Sequence, residues 1–147
     1  MFEQEIETYE LVREEYQKKV TGSMGRHEKL IARIPQLMTS TEQAIKNGQH
    51  PMVVAARFHG YFEYLHPFRD GNGRTGRLLS NLLLLRANHP LLIIEVKDRN
   101  AYIESLKMIR TDGTDEHLIA LFFQLAINRM KGELEQKAKN SRSMFFF

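Results

Sequence analysis

The chain has 147 residues, enough for one domain with a real core, and carries a net charge of +3 and no cysteine. Disulfides and thiolate metal sites are therefore excluded. The basic residues are spread along the chain, which argues against a nucleic-acid or membrane surface. Met1 to Thr8 is acidic and mixed, without the apolar core of a signal peptide. The longest apolar runs, Leu82 to Leu85 and Leu91 to Ile94, are too short to span a bilayer. The expected location is cytoplasmic, with delivery into a host cell as the other option.

No repeat or Pro/Gly/Ser-rich linker divides the chain, so a single domain over 1–147 is expected. Residues 3 to 20 carry Ile6, Tyr9, Val12, Tyr16 and Val20 at spacings of three and four, the mark of an amphipathic helix. Thr21 to Gly25 breaks it. Residues 26 to 36 fit a short helix or an extended flap equally well, and a short helix is expected over about 37 to 47. Pro51 suits a first helical position, and that helix should run to Leu65, because His66 precedes Pro67 and avoids the helical region. A helix from near Arg74 should stop before Asn88. Leu91 to Val96 reads as extended. Asp98 or Asn100 can cap a helix through about Ile109, and Thr114 a long one from 115 to about 138. The sum is an all-α bundle with at most a small β-hairpin flap near 23–35. The apolar end, Met144 to Phe147, has no assigned role.

The chemistry is concentrated in the unbroken stretch His66-Pro67-Phe68-Arg69-Asp70-Gly71-Asn72-Gly73-Arg74-Thr75-Gly76-Arg77. Gly71 and Gly73 permit a loop whose successive N–H groups turn inward as a nest for anionic oxygen. The following helix adds its own unpaired donors and partial positive charge. Arg74 and Arg77 share a face of the first turn, where they oppose the dipole unless a polyphosphate sits there. Asp70 then reads as an oxygen ligand for Mg²⁺, and His66 as a proton acceptor near neutral pH.

This stretch resembles, without a gap, the Fic signature His-x-Phe-x-[Asp/Glu]-Gly-Asn-Gly-Arg-x-x-Arg. Ala55-Ala56-Arg57-Phe58-His59 with Tyr64-Leu65 is similar to the Fic helix before the motif. Leu78 to Leu85, Pro90 to Ile94 and Tyr102 through Leu106 are similar to the segments after it. The likeness is clear from about 50 to 125. It implies a Fic-type helical bundle that transfers AMP from ATP, with Mg²⁺, to a Ser, Thr or Tyr hydroxyl of a protein substrate.

By the same resemblance His66 is the general base and Asp70 holds the metal between the α- and β-phosphates. Gly71, Asn72 and Gly73 form the anion hole, and Thr75 and Gly76 are counted among the nucleotide-binding residues. Arg74 and Arg77 grip the outer phosphates, Phe68 anchors the loop, and Tyr102 lies near the adenosine end. Two departures stand out. Arg110 occupies a position where relatives often have asparagine, and residues 23 to 35 lack a clear hairpin turn for target docking. No inhibitory Ser/Thr-x-x-x-Glu-Gly/Asn helix is present, which leaves three options: a separate inhibitory partner protein, a fragment, or an unregulated enzyme.

Each assignment has a plainer competitor. His59 lies two helical turns before His66, but without a third ligand a packed histidine is favoured over a metal pair. Phe58, Tyr61, Phe62 and Tyr64 read as core and rim packing. Other Fic-type transfers, of phosphate, UMP or phosphocholine, would keep the same site. A phosphate-transferring branch usually has lysine at the position of Gly73. A catalytically silent nucleotide-binding module is the reading from another class. A DNA-binding domain ranks below these for want of a basic recognition helix.

Overall fold

Pro51 opens the helix on which the rest is stacked. The computed structural model describes residues 2–16 and 26–144. Among these it contains six helices, α1 (Glu3–Tyr16), α2 (Arg26–Lys46), α3 (Pro51–Leu65), α4 (Asn72–Arg86), α5 (Arg99–Thr111) and α6 (Glu116–Met144), with a 3-10 turn at Val96–Asp98. The architecture is all-α, and no strand occurs among the described residues. None of these helices is long and apolar enough to cross a membrane. The expected break at 21–25 and the end of the chain at 145–147 lie outside the described residues.

α3 is the central element and packs against α2, α4, α5 and α6. Its start is doubly fixed: Pro51 sits in the first turn, and the Met52 N–H donates to Nδ1 of His50 at 3.1 Å. Ala55, Ala56 and Gly60 keep its surface low where the later helices cross. A Cβ on Gly60 would stand 2.6 Å from Cδ1 of Ile109 and 3.2 Å from a Leu118 methyl. The larger core joins Met52, Ala55 and Ala56 to Leu84, Leu92, Tyr102, Leu118 and Phe122. The smaller one joins Phe58, Phe62 and Leu83, with Ile34, Leu37, Met38, Phe68 and Leu79 packed against it.

The region in which a hairpin flap was expected is helical from Arg26 onward, and positions 23–25 lie outside the described residues. One helix runs through Pro35 to Lys46 instead of starting near 37. Tertiary packing overrides the proline here. Leu30, Ile34 and Leu37 recur at helical spacing, and Ile34, Leu37 and Met38 are drawn onto the Phe58–Phe62 cluster. Pro35 itself faces solvent, where a missing backbone donor is tolerated.

Smaller differences have equally local causes. α4 begins two residues before Arg74, because Gly71 and not a later residue takes the left-handed cap conformation. Residues 91–95 belong to no helix and pair with no strand among the described residues. The Asn81 carboxamide takes that place, donating to the Leu92 carbonyl at 2.9 Å and accepting the Leu92 N–H at 2.7 Å. Val96, expected to continue the extended stretch, opens the 3-10 turn. Asp98 does not cap α5 with its side chain; its carboxylate accepts the Glu95 N–H at 3.2 Å. α6 runs on to Met144, its last turns charged and exposed.

Candidate active site

The site is assembled where α3 ends and α4 begins. His66 closes α3 with φ 51 and ψ 58, and its N–H donates to the Phe62 carbonyl at 3.0 Å. Pro67 forbids continuation of the helix, and its own ring is fully buried. The result is an abrupt stop that leaves the His66 side chain in solvent. Two groups from α2 brace this corner. Nδ1–H of His27 donates to the Pro67 carbonyl at 2.9 Å, and the Arg26 guanidinium donates to the Leu65 carbonyl at 3.0 Å.

The loop beyond is held from inside. Buried Asn72 accepts the Phe68 N–H at 2.9 Å and returns a bond to the Phe68 carbonyl at 2.7 Å. The Phe68 ring rests on Phe62, with centroids 6.3 Å apart. Gly71, at φ 80, makes the turn that a side chain would strain. The first helical bond of α4 runs from the Thr75 N–H to the Gly71 carbonyl, and no side chain caps the helix. The N–H groups of Asn72, Gly73 and Arg74 thus precede the helical ladder, a ready anion site.

Charged groups surround that end. Asp70 and Arg74 form a loose pair at 3.6 Å, their side chains 95% and 77% exposed. Such a pair stabilises the fold by well under about 1 kcal/mol and leaves both groups available. No cluster of three or more metal-binding side chains occurs among the described residues. A lone solvent-facing carboxylate beside open amides fits Mg²⁺, which keeps waters and takes its remaining ligands from phosphates. Arg77 stands one turn on. A Cβ at Gly73 would lie 3.2 Å from Nη1 of Arg77, so the small residue leaves the guanidinium its place.

Beneath the loop lies a buried polar layer. His59 is completely buried, with Nε2 2.8 Å from the Tyr102 hydroxyl. Burial holds its imidazole down to about 4, so it is neutral. Burial likewise pushes the Tyr102 phenol up to about 12, with Glu63 adding to the rise and Arg77 opposing it. The packed reading of His59 is the one this geometry favours.

The sequence reading missed Glu63. This residue is 8% exposed, and its Oε1 has no hydrogen-bond partner among the described residues. Burial pushes its carboxyl up, against the pull of His66, Arg77 and Arg110. It stands 3.0 Å from where a Cβ on Gly76 would be. The signal was present: His59, Glu63 and His66 fall at spacings of four and three, one line along α3.

His66, Asp70, Gly71, Asn72, Gly73, Arg74, Thr75 and Arg77 are thus gathered around one helix end. Gly76 faces the other way, onto Phe62, His59 and Glu63, and serves the α3–α4 crossing. The Tyr102 hydroxyl bonds His59, and the residue lines a cleft of about 400 Å³ with Arg77, Ile94, Arg99 and Ile103. Arg110 donates to the Glu63 carbonyl at 3.2 Å, covering the end of α3.

A family model described as Fic/DOC family matches residues 2–84. The chain belongs to the Fic/DOC family. Curated relatives agree over a shorter span. The chain is 53% identical over 57 residues to "Protein adenylyltransferase Fic" of Nematostella vectensis, 39% of this chain and 13% of the relative. It is 51% identical over 59 residues to the protein of that name from Drosophila yakuba, and 48% over 59 residues to that from Aedes aegypti. Each of these two matches takes in 40% of this chain and 12% of the relative. This Fic/DOC chain therefore matches about an eighth of the length of the relatives it resembles.

Proposed function

We propose that this Fic/DOC chain transfers AMP from ATP to a hydroxyl side chain of another protein. The observation that carries the reading is the uncapped start of α4. Three backbone amides, flanked by Arg74 and Arg77, open one short loop away from the exposed imidazole of His66. The adenylyltransferase names of the relatives support the choice of ATP as donor.

In this reading the amides of Asn72 to Arg74 receive phosphate oxygens, and Arg74 and Arg77 grip the outer phosphates. His66 accepts the proton of the target hydroxyl as its oxygen attacks the α-phosphorus. The bond from the α-phosphorus to the bridging oxygen breaks, and pyrophosphate leaves with the electron pair. Asp70 would hold Mg²⁺, which would neutralise charge on the phosphates. The chain contributes position and electrostatics rather than a covalent intermediate.

Incubation with α-labelled ATP and Mg²⁺ in lysate tests this reading. Label should pass to protein with the parent chain, and the mass of a modified target should rise by one AMP. A His66→Ala chain that labels equally well overturns it. A mass rise of phosphate, UMP or phosphocholine would reassign the donor.

A further inference from the structure

α1 is the element that the rest of the fold does not use. It carries Glu3, Glu5, Glu7, Glu10, Glu14 and Glu15 against Arg13 alone. Ile6, Tyr9, Val12 and Tyr16 fall on one face, yet each stays 55% to 64% exposed. No α1 residue is buried, and α1 shares no extended interface with another helix. A row of four large apolar side chains left bare on one helix face is a candidate contact surface.

A matching surface exists on the same molecule. α2 and α3 enclose an open apolar groove of about 210 Å³, with Leu30, Ile34 and Leu37 on one wall and Tyr61 and Leu65 on the other. Arg33 stands on its rim, and Lys29 lies one turn before it on α2. Both cations are exposed, and neither forms an ion pair among the described residues. An acidic helix with an apolar stripe and an apolar groove with a basic rim are complementary in both respects.

We propose that α1 of one copy lies in the α2–α3 groove of a second copy, with the exchange reciprocated across a two-fold axis. Ile6 to Tyr16 spans about 15 Å of helix, enough to follow the apolar wall of α2. Glu5, on the first turn of the same face, and Glu10, at its edge, meet Lys29 and Arg33. A second copy is the occupant because one chain carries both surfaces, and among the described residues neither is covered. A reciprocal contact of this kind closes on itself and stops at two copies. The groove ends at Leu65 and Pro67, either side of His66, so the partner helix arrives at the rim of the candidate active site.

Sedimentation velocity on the 147-residue chain, without nucleotide, tests this independently of any transferase activity. The expected result is a monomer–dimer equilibrium over the micromolar range. Tyr9→Glu, at an exposed position, should raise the dissociation constant at least about tenfold, with helix content unchanged by circular dichroism. Glu5→Lys with Glu10→Lys in one chain, and Lys29→Glu with Arg33→Glu in another, should each give a monomer, and mixing the two should restore a dimer. A parent chain that stays monomeric at every concentration overturns the proposal, including the case in which α1 closes onto its own groove. A dimer indifferent to both reversals overturns it too.

Discussion

The carboxamide of Asn72 holds Phe68 by both of its backbone groups, closing the loop between them with bonds of 2.9 and 2.7 Å. The family resemblance assigns Asn72 to the anion hole, and its backbone N–H fits that role. Its side chain, however, is spent inside the loop. Replacing Asn72 by Ala should cost about 1–3 kcal/mol of stability, since two part-buried backbone groups lose their partner. Labelling should fall at least about tenfold, beyond what the lost stability explains, because misplaced amides no longer converge. Denaturant titration and labelling of the same preparation would check both.

Gly76 and Gly132 make a matched pair for substitution. A Cβ on Gly76 would come within 3.0 to 3.2 Å of Glu63, Phe62 and His59, whereas one on Gly132 would meet nothing within 4 Å. Gly76→Ala should therefore destabilise by about 1–3 kcal/mol through overpacking. Gly132→Ala, in the exposed interior of α6, should stabilise by up to about 1 kcal/mol through helix propensity. Opposite shifts in melting temperature are expected.

His59 makes stability depend on pH in a defined direction. Its folded pKa is depressed from 6.5 to about 4, so the folded chain resists a proton that the unfolded chain accepts. Its contribution is complete above pH 6.5 and is lost as pH falls toward 4, amounting to about 3 kcal/mol. Urea unfolding across that window should show the decline, and His59→Asn should flatten it.

Glu63 acts with the opposite sign. Burial raises its pKa above the ordinary glutamate value of 4.5. As pH rises through 4.5 the unfolded carboxyl ionises while the folded one keeps its proton, so stability is lost until the raised folded pKa is passed. Glu63→Gln should then be the more stable chain at neutral pH, with the advantage vanishing in acid.

The backbone of His66 offers a clean control on its chemistry. At φ 51 the residue sits where side chains are strained, and glycine is not. His66→Gly should match or exceed the parent in stability, while labelling falls by about 10² to 10⁴. Loss of labelling together with loss of fold would point to a merely structural histidine.

The parts of the molecule legible in sequence are those whose cause is local. Pro51 and the His66-Pro67 step fixed both ends of α3, and twelve successive residues marked out the candidate site. What stayed hidden depends on distant partners. Residues 26–36 fitted a short helix or a flap equally well, because the apolar line of α2 makes sense only against Phe58 and Phe62. The bond between the Tyr102 hydroxyl and His59 joins residues 43 positions apart, which no local pattern signals. Glu63 carried no signal strong enough to single it out, because its burial depends on the approach of α4 at Gly76.

The turn at Gly71 and the brace behind it mean that the donors are immobilised while the chain folds, not when a guest arrives. A polyanion entering there would surrender its own freedom but demand little reorganisation of its host. Recognition at this corner should accordingly resemble a rigid mould, with similar structures before and after occupancy and little conformational entropy left to lose.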